Sequence, residues 1–129
     1  MPSYHRNRTF YQDMSGDQTV TTSTDNTTLA TARNASHTIF LQKVHVSITG
    51  ASAGKTWQLT DSASTPVQLT GPFATDTDGS HFDRDFGPDG IALTAGANLV
   101  LDISATGAAG FVSWEAYQKP TSTVAAASL

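Results

Sequence analysis

The stretch TIFLQKVHVSIT, residues 38–49, decides how the rest of the chain is read. Phe40, Val44, Val46 and Ile48 share one parity, with Gln42 interrupting, while Lys43, His45, Ser47 and Thr49 share the other. Alternation with a period of two marks a strand with one buried face. The next residues, GASAGKT at 50–56, offer a competing reading. They come close to G-x-x-x-x-G-K-[ST], the loop whose backbone N–H groups cradle a phosphate. Gly50 and Gly54 enclose three residues, however, one fewer than that loop needs to wrap its anion. The lysine and threonine of such a loop also open a helix, whose N-terminus holds the charge. Here Thr56 runs into TWQLTD, in which Trp57 and Leu59 alternate with Thr56, Gln58 and Thr60. The expectation is a hairpin between two strands, with Lys55 a solvent-exposed loop charge.

The same alternation continues outward. TPVQLTG (65–71) sets Val67 and Leu69 on one face, with Pro66 at the strand start where it is tolerated. The last third reads as a meander of IAL (91–93), ANLVLDIS (97–104) and FVSWEAYQ (111–118). Leu99, Leu101 and Ile103 share a face, as do Val112, Trp114 and Ala116. The connections TAGAN and TGAAG are short and rich in glycine or asparagine, which suits antiparallel hairpins. Parallel strands would need crossovers of about a dozen residues or more. QTVTTST and TTLATAR read as weaker strands ahead of these. The expected fold is all-β, an antiparallel β-sandwich or jelly roll of about 7–8 strands.

Composition agrees. The 129 residues suffice for one domain with its own core, and only 14% of them are charged. Serine and threonine make up roughly a quarter of the chain, and Glu115 is the only glutamate; threonine's branched side chain suits a pleated surface better than a helix. A net charge of −4 points away from nucleic acid as a partner. The absence of cysteine excludes disulfides and Cys-ligated zinc. MPSYHRNRTFYQDM lacks the apolar core of a secretory signal, and no segment nears the roughly 18 apolar residues of a membrane helix. The expectation is a soluble protein made in the cytoplasm, with no membrane partner.

Three parts are expected: a flexible N-terminal arm at 1–17, the sandwich at 18–119 and a low-complexity tail at 120–129. The arm interleaves Tyr4, Phe10 and Tyr11 with His5, Arg6 and Arg8. Arginine and aromatic residues are enriched at protein interfaces, so these six are assigned to partner contact.

Chemistry-bearing motifs are few. TDTDGSHFDRDFGPDG (75–90) holds Asp76, Asp78, Asp83, Asp85 and Asp89, half of the ten aspartates. Asp76 and Asp78 fit the first slots of a calcium loop, but its glycine is misplaced. His81, Asp83 and Asp85 would line one face of an extended chain. Neighbours would then stand about 6.6–6.8 Å apart and the outer pair about 13 Å, too far to share one ion. The D-F-G tripeptide matches a kinase magnesium motif whose other parts are missing. A simpler reading has Phe82 and Phe86 pointing inward and Gly87–Gly90 forming a turn. His45 falls on the outer face as an exposed or interface histidine. Asn-x-Ser/Thr triplets at Asn7, Asn26 and Asn34 arise readily in so Thr-rich a chain. No catalytic, cofactor or metal residue is assigned, and the chain is not read as an enzyme.

TIFLQKVHVSIT, the Trp-Gln-Leu-Thr-Asp strand and DFGPDGIALTAGANLVLDISATGAAGFVSWEAYQKP together cover about residues 37–119. In this layout the chain resembles small virion proteins of tailed bacteriophages. The resemblance implies a β-sandwich building block of the particle: a head decoration or auxiliary protein, often trimeric, contacting the major capsid protein or other virion proteins. It implies a virion location after assembly in the host cytoplasm, and no catalytic residue. The alternative is a carbohydrate-binding or host-attachment module, which would need exposed aromatics aligned on one face. Trp57 and Trp114 both fall on core parity.

Overall fold

The computed structural model describes residues 12–21, 26–103 and 107–121. Among them run nine strands: β1 Gln12–Val20, β2 Thr27–Ala30, β3 His37–Gly50, β4 Thr56–Asp61, β5 Phe73–Ala74, β6 His81–Asp85, β7 Ile91–Ala92, β8 Leu99–Ile103 and β9 Ala109–Pro120. One sheet has the order β1-β9-β3-β6, with β7 also on β3, and the other the order β2-β8-β4-β5. All the pairings are antiparallel. The pairs β1–β9, β2–β8, β3–β6 and β4–β5 describe one long antiparallel ribbon. Rolling that ribbon brings β3 against β9 and β4 against β8. This is the jelly roll, in which two sheets enclose one core.

The expected faces meet in that core. Val44, Val46, Ile48, Val112, Trp114 and Ala116 are buried on one sheet, and Trp57, Leu59, Leu99, Leu101 and Ile103 on the other. Trp57 is fully buried, and its ring reaches β9 at Gly110. A Cβ at Gly110 would lie 2.3 Å from the Ser47 carbonyl oxygen and 3.1 Å from the Trp57 ring. Glycine there lets the ring lie directly on the backbone. The indole Nε1–H has no acceptor among the described residues. An unmade bond of this kind costs about 1–3 kcal/mol, whereas burying roughly 200 Å² of ring gives about 5 kcal/mol, so burial wins. Trp114 repeats the device, lying across Gly16 of β1.

Three sequence expectations change. Residues 12–17, placed in the flexible arm, belong to β1, where Gln12 pairs with Gln118 and Asp17 with Ser113. The backbone of this polar segment completes the ladder on one side of β9. Phe40 does not share the face of Val44. The register slips between Leu41 and Lys43, so Gln42 is an extra residue, and Ile39 and Leu41 take the core side before it. A bulge of this kind reverses the facing of everything on one side of it. Phe40 instead stacks on Tyr117, ring centroids 4.9 Å apart. Finally, TPVQLTG is not a strand: a single bridge joins Thr60 to Gln68, Leu69 is buried, and Val67 is exposed. The cause is Asp61.

Asp61 ends β4 with its side chain buried. Its Oδ1 accepts from the N–H groups of Ala63 (3.1 Å) and Val67 (3.0 Å), and its Oδ2 from that of Thr94 (2.9 Å). One carboxylate thus fixes the irregular loop after β4 and ties it to the loop before β8. Burial pushes its pKa up, but the hydrogen bonds from Thr94, Val67 and Ala63 outweigh that and hold it below the ordinary 3.8.

Two stability measurements follow. Gly110→Ala forces a methyl into the Ser47 backbone and lowers unfolding stability by about 1–3 kcal/mol in urea melts. Asp61→Ala strands buried N–H donors and costs about 2–4 kcal/mol at pH 7. Because the folded pKa is depressed, this contribution is complete above 3.8 and disappears as pH falls through the lower folded value. The gap between wild type and Asp61→Ala therefore narrows in melts at the acid end.

Candidate functional site

The residues singled out by sequence fall in two places. The first is the 50–56 loop. Its backbone donors are already engaged by the chain itself: Ala51 N–H donates to Asp78 Oδ1 (2.6 Å), Gly54 N–H to Asp76 Oδ1 (3.1 Å) and Ser52 N–H to the Thr75 carbonyl (2.8 Å). Buried Thr75 also donates its hydroxyl toward the Lys55 carbonyl at 3.2 Å. The two aspartates weighed as calcium ligands are the internal anions of this loop. Gly54 takes a φ of 77°, the left-handed value a tight turn needs. The hairpin connects β3 to β4, and Lys55 is half-buried, not fully exposed as expected.

The second place is the outer face of the five-stranded sheet. β6 is extended, so His81, Asp83 and Asp85 do share this exposed face, opposite Ser47, His45 and Lys43 of β3. They do not gather around a point. Asp85 lies 4.0 Å from Lys43 Nζ and accepts from the Gly87 N–H at 2.8 Å. Asp83 hydrogen-bonds His45 Nδ1, with His81 Nε2 3.9 Å from its second oxygen. Among the described residues no group of three or more His, Cys, Asp or Glu side chains could hold a metal ion. His45 is exposed, as its parity required.

Register makes these residues part of something wider. Across β1, β9, β3 and β6 run the rows Ser15–Glu115–Lys43–Asp85 and Asp17–Ser113–His45–Asp83. A third row, Thr19–Phe111–Ser47–His81, adds an exposed phenylalanine. Between the first two rows lies an open groove of about 710 Å³, floored by Gly16, Trp114, Val44 and Arg84. It carries four carboxylates against one lysine and one histidine, the Arg84 guanidinium lying over the rings of Phe82 and Phe86. Sequence reading missed it because its members come from four strands, and only pairing register assembles them. The interface residues assigned in the arm, Tyr4, His5, Arg6, Arg8, Phe10 and Tyr11, lie outside the described residues, as does the tail from 122.

The chain matches no protein-family model and no curated protein sequence.

The loop geometry has a direct consequence. Asp76→Ala with Asp78→Ala removes the carboxylate acceptors of Gly54 and Ala51. Amide exchange at these two positions then rises at least about tenfold, while β8 and β9 keep their protection.

Proposed function

We propose that the chain is a structural protein of a tailed-phage particle, decorating or cementing the capsid through protein–protein contacts and without catalysis. The observation that carries this reading is how the jelly roll uses its polar groups. Asp61, Asp76, Asp78 and Asp85 all accept backbone N–H groups of their own chain, so the side chains richest in chemistry are holding loops in place. What remains is one broad sheet face, with a groove and an exposed phenylalanine, suited to contact with another protein. The layout of residues 37–119, which resembles small phage virion proteins, supports the same reading. The partners are then the major capsid protein or other virion proteins, and the arm residues Tyr4, His5, Arg6, Arg8, Phe10 and Tyr11 make part of the protein–protein contacts of the assembled particle. A homo-oligomer, as in the trimers that the resemblance implies, is the working state, and the virion its location after assembly in the host cytoplasm.

Against the attachment-module alternative stand the tryptophans. Trp57 and Trp114 are buried, and the exposed large apolar side chains among the described residues are Val67 and Phe111, which are not a platform of aligned rings.

Mass spectrometry of purified particles tests the proposal: the protein is present at a fixed copy number, and its absence overturns the reading. Replacing Arg6, Arg8, Phe10 and Tyr11 with alanine weakens binding to empty heads at least about tenfold, since such anchors dominate small interfaces.

A further inference from the structure

The outer sheet face combines unanswered charge with an exposed ring. Of its four groove carboxylates, Asp85 is paired with Lys43 and Asp83 with His45. Asp17 and Glu115 have no ion-pair or side-chain hydrogen-bond partner among the described residues. They are diagonal neighbours: Glu115 pairs with Ser15, and Asp17 lies two residues further along β1. Diagonal positions on one face stand about 7–8 Å apart. Phe111 is exposed one row beyond, two residues before Ser113.

Residues 1–11, MPSYHRNRTFY, contain no carboxylate, and Arg6 and Arg8 are spaced two apart. On an extended chain such residues share a face at about 6.6–6.8 Å, within roughly 1 Å of the carboxylate spacing. We infer that the groove receives the N-terminal arm of a second copy of this chain, Arg6 and Arg8 seated on Asp17 and Glu115 and an aromatic ring of the arm against Phe111. Arginine on carboxylate is a charge-assisted pairing, and the partly enclosed groove screens it less than open surface does.

A second copy fits better than the chain's own arm. The arm enters β1 at Gln12, so covering Ser15–Asp17 of its own sheet requires a sharp reversal just before that residue. Residues 9–12, Thr-Phe-Tyr-Gln, contain none of the Gly, Pro, Asn or Asp that make such turns. An arm that runs on needs no turn, and eleven residues extended span roughly 36–40 Å, enough to reach an adjoining molecule. The inference rests on reading residues 1–11 as a docking arm and supplies its receptor.

Sedimentation velocity on the full chain at low and high salt tests it. The expected result is self-association that weakens with salt. The variant Arg6→Glu/Arg8→Glu and the variant Asp17→Arg/Glu115→Arg each weaken it at least about tenfold. A chain that carries both reversals together restores it, because every reversed arm then meets a reversed groove. Circular dichroism verifies that each variant keeps its β fold; if the arginine pair misfolds, Asp17→Asn/Glu115→Gln replaces it and must also weaken association. A full chain that stays monomeric, association untouched by both reversals, or a chain with both reversals that fails to recover overturns the inference. Particle content separates this from the virion reading. A protein present in virions but insensitive to the reversals loses the groove and keeps the function; one that shows the charge-swap recovery but is absent from virions keeps the groove and loses the function.

Discussion

The bulge at Gln42 is the constraint on which the rest of the jelly roll depends. β3 is the longest strand and borders β9 along one edge and β6, then β7, along the other. A strand of this length twists steadily, so a single parity cannot face one core throughout. The extra residue re-aims it: Ile39 and Leu41 point inward before the bulge, Val44, Val46 and Ile48 after it. Gln42 itself is buried, and its polar groups hold the turn between β6 and β7. Its Nε2 donates to the Pro88 carbonyl at 2.8 Å, and its backbone carbonyl accepts from the Phe86 N–H at 2.7 Å. The same turn receives the Tyr117 hydroxyl on the Asp89 carbonyl, and Gly90, at a φ of 72°, packs where a Cβ would be 2.8 Å from the Leu41 oxygen. The segment DFGPDG is therefore a clasp over the bulge, which accounts for its glycines without any ligand.

That clasp also shapes the surface. By turning Phe40 outward onto Tyr117, with Lys119 Nζ 4.9 Å above the Phe40 ring, the bulge covers one end of the outer face with its own aromatic stack. Beyond it the face is polar and open. At the far edge Phe82 of β6 stacks on Phe73 of β5, and Arg84 lies 5.4 Å above the Phe82 ring, closing the sandwich where the two sheets part. Apolar closure at the margins leaves the centre of the outer sheet to charged and hydroxyl side chains.

Much of this was legible in the sequence, for a physical reason. Strands with one wet face write their burial into alternate residues, so the facing of Trp57 and Leu59, of Leu99 to Ile103 and of Val112 to Ala116 followed from parity alone. Phe40 was misplaced because parity was carried through Gln42; the polar residue on an apolar parity was itself the sign of a bulge. Val67 misled because a Thr-rich alternation next to proline resembles a strand, while what holds the segment is Asp61, six residues earlier. The role of Asp61 left no local trace, since its third donor is on Thr94, thirty-three residues away. The groove was hidden for the same reason: Asp17, Glu115, Lys43 and Asp83 become neighbours only through the register of four strands.

Register also bears on how such a molecule meets others. A sheet can extend by its edges or be covered on its face. Here the edge strands β1 and β6 carry Asp13, Asp17, Asp83 and Asp85, so two copies approaching edge to edge would set like charges side by side. Edge charges of this kind are a recognised defence against unwanted strand pairing. The face lacks that defence against a partner of opposite sign, because its carboxylates outnumber its cations and the exposed Phe111 gives a basic, aromatic segment an apolar contact as well. Asp17, Asp83 and Asp85 belong to the edges and to the groove at once, so the same carboxylates that oppose pairing of like edges favour a segment of opposite charge on the face.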